Sequence, residues 1–551
     1  MGNAVVPKRA SHNGKVSPLR KLKAVYFAPL LAVVALFAWA LASPMGAAPD
    51  DDFHLVSTWC AVADGTTCAP GTSADTRVVP EAILESPCYA GLPNKSAECQ
   101  QDFDLSGKAT ELTDRGNFVG SYPPVYYSVM HAFVGADIVA SVVIMRLVNV
   151  LLFVGLTTAL FWLLPIARRQ TLILMWTIST VPMGMFLIAS NNPSGWAMVG
   201  VGTAWLAVLG YLERTGWRRW VLAAIALVAT VMAAGSRGDA AIYTVLGIGA
   251  VFVLTFPRVK VEWAKYARYA VLPVVLVAIC FLFFSLSSQT SSGLGGFSSG
   301  APSGGPVLDN AQPAERLTGF GRFAYNLLNT PFLWTGNFGE WGLGWLDTGL
   351  PNIVTFGALA SFVAVGLVGL AGLWGRKLFV VLGAGITLWA VPLYVLTRGG
   401  QLMGVTVQPR YVLPLIVLLA GLVVVTRFGR TIPFTRVQVV LVVAALSVAN
   451  LVALNVNMKR YIKGIDAPSS NLNVGIEWWW QGAPPPMVVW VVGSIAYAAL
   501  LLVVLRAVAW PVVQVAPATA NTEIDEATPV TAVAADDGLP AGSKSEEARR
   551  P

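Results

Sequence analysis

The chain is 551 residues long, 55% hydrophobic and only 12% charged, with a formal net charge of +8. A soluble domain carries about a quarter charged residues, so this composition excludes a soluble globular enzyme and specifies a polytopic membrane protein.

Residues 1–23 form a basic tail containing Arg9, Lys15, Arg20, Lys21 and Lys23. Stretches of roughly 17 to 25 apolar residues, enough to cross about 30 Å of hydrocarbon, then recur twelve times. They fall at 24–42, 138–164, 171–189, 194–212, 219–235, 238–256, 269–288, 352–374, 378–396, 411–426, 437–457 and 487–509. The expected fold is therefore all-α, a transmembrane helical bundle over 24–510. Ala40-Leu41-Ala42 before Ser43 resembles a signal-peptide cleavage site, but the apolar stretch is longer than a usual signal core, which favours a retained span.

Lys and Arg occupy every second connection: Arg168 and Arg169; Arg214, Arg218 and Arg219; Arg258, Lys260, Lys265 and Arg268; Arg376 and Lys377; Arg427, Arg430 and Arg436. Positive charge beside span ends stays on the cytoplasmic side, so both termini are expected to be cytoplasmic in a plasma-membrane protein. Topology then accounts for the net positive charge, and a nucleic-acid partner loses its support. The long segments 43–137, 289–351, 397–410 and 458–486 fall on the exterior. The tail 511–551 is too poor in apolar residues to fold and is expected to be disordered, as is the Gly- and Ser-rich stretch around Gly300-Ala301-Pro302-Ser303-Gly304-Gly305.

Four of the five cysteines, Cys60, Cys68, Cys88 and Cys99, lie in the first outer loop, where thiols oxidise. Two disulfides are expected. Cys60 with Cys68 and Cys88 with Cys99 would close the shortest loops, though four cysteines allow three connectivities. The spacings of eight and eleven do not match structural zinc, and no metal site is assigned. Cys280, within a span, reads as a small buried apolar residue.

Polar residues near the outer span ends are the functional candidates, because such groups are expensive at a membrane unless paired or hydrated. They are Asp50, Asp51, Asp52 and His54; Tyr122-Pro123-Pro124; Asn191 and Asn192; Arg237 and Asp239; Asp347; and Arg398, Gln408 and Arg410. Of these, Asp52 and Asp239 read as solvated surface charge, as does Lys463. Lys459, Arg460 and Lys463 would reach lipid phosphates. Arg146, inside the second span, would snorkel or pair within the bundle. Trp478-Trp479-Trp480 reads as an interfacial belt. Adjacent carboxylates such as Asp50 and Asp51 repel, and one with a raised pKa would serve as a general base. A divalent cation would also suit hard oxygen ligands.

Asp50-Asp51-Asp52-Phe53-His54 resembles the Asp-Glu-x-x-His element that follows the first span in a bacterial membrane family catalogued as domain of unknown function 2142 (DUF2142). Tyr122-Pro123-Pro124, Gly344-Trp345-Leu346-Asp347 with Pro351, and Gln408-Pro409-Arg410-Tyr411 with Pro414 resemble its later elements, in the same order. Asp51 stands where glutamate is usual and Pro409 where glycine is expected. The family is similar to the C-type (GT-C) glycosyltransferases, and that resemblance implies transfer of a sugar from a polyprenyl-phosphate carrier to a cell-envelope glycan, lipid or protein on the outer face. It implies Asp50 as catalytic base and Asp51 as second acid or metal ligand. Arg410, helped by Arg237 or Arg398, would meet the carrier phosphate; His54, Tyr122, Asn191, Asn192, Asp347 and Gln408 would position substrate. The alternatives are a transporter or flippase, with ionisable residues along a path through the spans, and a non-catalytic envelope scaffold.

Overall fold

In the computed structural model the described residues are 24–62, 65, 67–287, 317, 319–404, 407–427 and 429–509. The expected tails 1–23 and 511–551, and the Gly/Ser-rich stretch within 289–351, lie outside them.

The bundle begins with α1 (Ala28–Leu41), preceded by a 3-10 turn at Ala24–Phe27. The next long helix is α5 (Ile138–Leu163), and between them lie three short helices, α2 (Asp51–Trp59), α3 (Glu81–Leu84) and α4 (Val125–His131). Then follow α6 (Ile166–Ser179), α7 (Met183–Ile188), α8 (Pro193–Glu213), α9 (Trp217–Ala234), α10 (Gly238–Thr255) and α11 (Trp263–Leu286). Two short helices, α12 (Gly319–Asn329) and α13 (Pro331–Gly336), precede α14 (Asn352–Leu370), α15 (Gly375–Arg398), α16 (Pro409–Val424), α17 (Arg436–Lys463) and α18 (Pro486–Val508).

Among the described residues, ten helices are long and apolar enough to cross a membrane. Two expected spans differ. The stretch 171–189 is interrupted at Thr180–Pro182 and divides into α6 and α7, because Pro182 has no N–H with which to continue the ladder. The stretch 411–426 is the 16-residue α16, begun by Pro409 at its first turn.

Helix ends are set locally. Asn192 caps α8, its side chain accepting from Ser194 N; Asp137 caps α5 through Ala140 N. Thr435 and Gln438 form a reciprocal capping box at the start of α17. Helix α8 is the centre of the bundle, buried on nearly all sides by α9, α10, α16 and α5. A Cβ at Gly200 would lie 2.6 Å from Ala229 O, so the close approach of α8 and α9 requires glycine there.

The loop 43–137 is not purely helical. It carries a three-stranded antiparallel sheet, β1 (Ala69–Pro70), β2 (Arg77–Pro80) and β3 (Thr110–Thr113), with Arg77 opposite Thr113 and Val78 opposite Leu112. Both shortest-loop disulfides are present, Cys60–Cys68 and Cys88–Cys99. Cys280 is buried and free.

Candidate functional site

The site is built on the strap that joins α1 to α2. Arg146, fully buried on α5, donates through Nη1 to Ala40 O (2.9 Å) and Ser43 O (2.6 Å) and through Nη2 to Pro44 O (2.6 Å). Asn457 Nδ2 donates to Ala42 O (3.1 Å) and Trp480 Nε1 to Leu41 O (2.9 Å). Tyr89 and Gln100 donate to Met45 O, and Asn192 Nδ2 to Pro49 O at 2.8 Å. Each carbonyl of an irregular buried segment needs a donor, and polar side chains from five parts of the chain supply them. The strap therefore delivers Asp50 to a fixed place.

Asp50 is one of two non-glycine residues with positive φ among those described, at φ 62° and ψ 22°. Aspartate tolerates this left-handed geometry better than most residues, at some cost in strain. The turn starts α2 at once, with Phe53 N and His54 N both donating to Asp50 O. It also aims the three carboxylates differently. Asp50 Oδ2 accepts from Arg410 Nη2 at 2.5 Å and Oδ1 from Arg115 Nη2 at 3.3 Å. Asp52, partly buried, is gripped by Arg115 Nε and by Nη2 at 3.0 Å. Asp51 points inward, its Oδ2 accepting from Ala48 N at 3.2 Å while its Oδ1 is buried without a hydrogen-bond partner. Burial raises the proton affinity of Asp51 to a pKa of about 7, against the opposing pull of Arg146.

Arg410 is buried at the start of α16, where Nη2 also meets Tyr411 Oη at 3.1 Å. Its Nε and Nη1 are buried with no hydrogen-bond partner. Arg237, at the start of α10, makes a bidentate pair with Asp239 at 2.9 Å for both contacts. Its guanidinium carbon lies 4.5 Å from the Tyr411 ring centroid and 5.7 Å from that of Tyr122. The Tyr122 ring meets the His54 ring edge-on at 5.5 Å. His54 Nδ1 lies 2.9 Å from the Tyr127 hydroxyl. Burial, and then the positive charges of Arg410, Arg237 and Arg115, push the His54 pKa well below its ordinary value, so the ring is neutral. Burial also raises the Tyr122 phenol to about 12, keeping it a hydrogen-bonding hydroxyl.

The structure thus joins Asp50, Asp51, His54, Tyr122, Asn192, Arg237 and Arg410 in one buried cluster. It leaves others elsewhere. Arg398 is exposed at the end of α15, the last residue of its helix. Asp347 belongs to a second buried cluster, accepting from Arg460 Nη2 at 2.8 Å and Gly91 N at 3.1 Å. Asn191 turns toward α5, donating to Val142 O at 3.4 Å, and Gln408 Oε1 is buried without a partner.

Several charges expected at the surface are inside. Asp239 is 4% exposed because Arg237 neutralises it. Lys463 is buried against Asn471 O and Val474 O, and Arg460 against Lys95 O, Tyr89 O and Asp347. Loops fold over these span ends, which converts an expected lipid contact into an internal tie. Trp478 is buried and Trp480 is tied to Leu41, so the tryptophan run also faces inward in part. Sequence reasoning missed Arg115, which clamps Asp50 and Asp52, and Tyr127 and Tyr411, which flank His54 and the arginines. Tyr411 lay within a quoted motif; Arg115 carried no signal, standing in a polar loop 63 residues from Asp52.

The donor set does not suit a divalent cation. Both oxygens of Asp50 and of Asp52 face guanidinium groups, and among the described residues no group of three or more His, Cys, Asp or Glu is arranged to hold a metal. What remains is an anion-oriented arrangement: a buried arginine with unsatisfied donors beside a carboxylate that is easily protonated.

A multi-span helical bundle with a buried Asp–Arg cluster where its first long loop meets the helices defines a polytopic membrane protein. Residues 33–419 match the model of the family described as predicted membrane protein (DUF2142), and the chain belongs to that family. No curated protein and no solved structure matches the chain.

Proposed function

We propose that this chain is an integral plasma-membrane glycosyltransferase of GT-C-like architecture, with cytoplasmic termini and an exterior site. It would transfer a sugar from a polyprenyl-phosphate carrier to a cell-envelope acceptor. The observation that carries this reading is Arg410: its Nε and Nη1 are buried without a partner while its Nη2 is held by Asp50. These N–H groups lie on different sides of a planar cation, and each can give a charge-assisted hydrogen bond to a phosphate oxygen.

In this reading the carboxylates divide the work. Asp50, with both oxygens on guanidiniums, orients Arg410 and Arg115. Asp51 keeps one oxygen without a donor, and a pKa of about 7 suits a general base at neutral pH. The base role implied for Asp50 by family resemblance is accordingly assigned to Asp51. The acceptor O–H gives its proton to Asp51 Oδ1, the acceptor oxygen bonds to the anomeric carbon from the face opposite the carrier, and the bond from that carbon to the phosphate oxygen breaks. The electron pair leaves on the phosphate, whose charge Arg410 stabilises with Arg237 behind it. Arg115, 28% exposed, is the outermost member of the cluster, so movement of the 43–137 loop would admit substrate.

A transport reading relies on Arg146 as an intramembrane charge. Its three hydrogen bonds all go to backbone carbonyls at the end of α1 and in the strap, which supports a structural role instead. The deciding experiment compares envelope glycans and polyprenyl-phosphate sugars in cells with the wild-type chain, without it, and with Asp51→Asn. Loss of one glycan with accumulation of its lipid-linked donor is expected in the last two; unchanged glycans in both would refute the enzyme reading.

A further inference from the structure

Away from the Asp–Arg cluster, a cleft of about 120 Å³ lies between α1, α5, α6 and α18. At roughly 10–15 Å³ per water-sized position it has room for a run of methylene groups. Its walls are mostly aliphatic and aromatic, among them Leu36, Phe153 and Leu501, yet three of its polar side chains stand unpaired. Tyr497 Oη, Trp176 Nε1 and Thr157 Oγ1 are buried and none has a hydrogen-bond partner. Tyr497 is 2% exposed and Trp176 5%. Such groups are expensive to leave unmade in an apolar setting.

The chemistry of what fits is restricted. A neighbouring helix could not satisfy these donors, since its backbone groups are bonded within itself. A prenyl chain has no acceptor along its length. A fatty acyl ester has both parts, an apolar chain for the walls and a carbonyl for the donors. The register agrees. Trp162 lies five residues beyond Thr157 on α5, about 7.5 Å along the axis, and it stacks on Tyr26 at 5.1 Å with the Arg169 guanidinium 5.8 Å from its ring. Exposed Trp and Tyr beside an arginine mark the headgroup layer, and ester carbonyls sit just beneath phosphate.

We infer that this cleft is a binding site for a glycerophospholipid, whose phosphate lies near Arg169 and whose ester carbonyl accepts from Trp176 and Thr157. The site is independent of the transfer chemistry proposed above.

The test uses the full chain in detergent, titrated with dioleoyl phosphatidylglycerol and with its dialkyl ether counterpart, and read by native mass spectrometry. Wild type is expected to hold one ester lipid and to bind the ether lipid at least ten-fold more weakly. The double variant Trp176→Phe/Thr157→Val should lose that preference while keeping its elution volume and melting temperature. Leu500→Trp, which fills the cleft from its edge, should expel both lipids. Equal affinity of wild type for ester and ether, undiminished preference in the double variant, or displacement of the ester lipid by polyprenyl phosphate would each overturn the inference.

Discussion

Asp50 and Arg410 stand 360 residues apart in the chain and 2.5 Å apart in the fold, both almost wholly buried. The pair joins the start of α2 to the start of α16, so the element after the first span and the element before the tenth expected span act as one unit. Arg410→Gln removes the guanidinium edge and leaves Asp50 with Arg115 alone. Transfer is expected to fall by about 100-fold or more, the usual size for loss of a donor to developing charge. Arg410→Lys should not restore it, because a compact ammonium lacks the planar spread of N–H groups that meets Asp50 and Tyr411 and still reaches a phosphate. Radiolabelled transfer in membranes, normalised to folded protein, measures both. Wild-type turnover in the lysine variant would remove the argument from the planar guanidinium.

Asp51 couples the site to pH. Its folded-state pKa is raised from 3.8 to about 7 by burial, so between these values the native state binds more protons than the unfolded chain. Stability contributed by this group is therefore full below pH 4 and declines as pH rises toward 7. Asp51→Asn removes the penalty. The variant should melt near wild type at pH 4 and above it at pH 8, by an amount on the order of 4 kcal/mol at most, while its transfer activity is lost. Melting curves across pH 4 to 8 test the first statement. A variant less stable than wild type at pH 8 would show that Asp51 is held as a carboxylate.

The bundle was legible because hydrophobic length and basic connections are local properties, and each expected span overlaps an observed helix or the α6–α7 pair. Asp50, His54, Tyr122, Arg237 and Arg410 were legible as charged or aromatic residues at span ends. Their neighbours were harder to find. Arg115 sits in a loop whose fold depends on two disulfides and a small sheet. Asp239, Arg460 and Lys463 were misread because a charge at a span end looks the same whether water or a folded loop covers it. Burial there is a tertiary property, set by segments such as 88–95 and 471–478.

Arg115 is the outer clamp of the cluster. Arg115→Ala releases Asp52 and one oxygen of Asp50, and with 28% exposure its pairs are partly screened, so the stability loss should be modest, about 1 kcal/mol. The effect on transfer should be larger, because Asp50 would no longer be oriented from both sides. Thermal melting and transfer rates together separate the two effects. Equal, small losses in both would assign Arg115 to loop packing alone.

The disulfide Cys88–Cys99 flanks Tyr89 and Gln100, both of which donate to Met45 O on the strap. Replacing both cysteines by serine is expected to cost about 2–4 kcal/mol and to loosen the strap. Cys60→Ser/Cys68→Ser, at the other end of α2, should spare Tyr89 and Gln100. Protease sensitivity around residues 42–50 distinguishes them: it should rise in the first variant and stay near wild type in the second.

Arg146 offers the sharpest contrast between an internal tie and a transport charge. Arg146→Met keeps the side chain's length and removes the donors to Ala40 O, Ser43 O and Pro44 O. Buried carbonyls left without donors are costly, and three of them should lower stability by about 3 kcal/mol or more. Because the strap carries Asp50 and Asp51, transfer should fall with it, and a cysteine placed at Ala47 should become reactive to a polar thiol reagent. Measured in the same membranes, an Arg146→Met chain with an unchanged melting temperature, an unreactive strap and lost solute flux would favour transport over the tie.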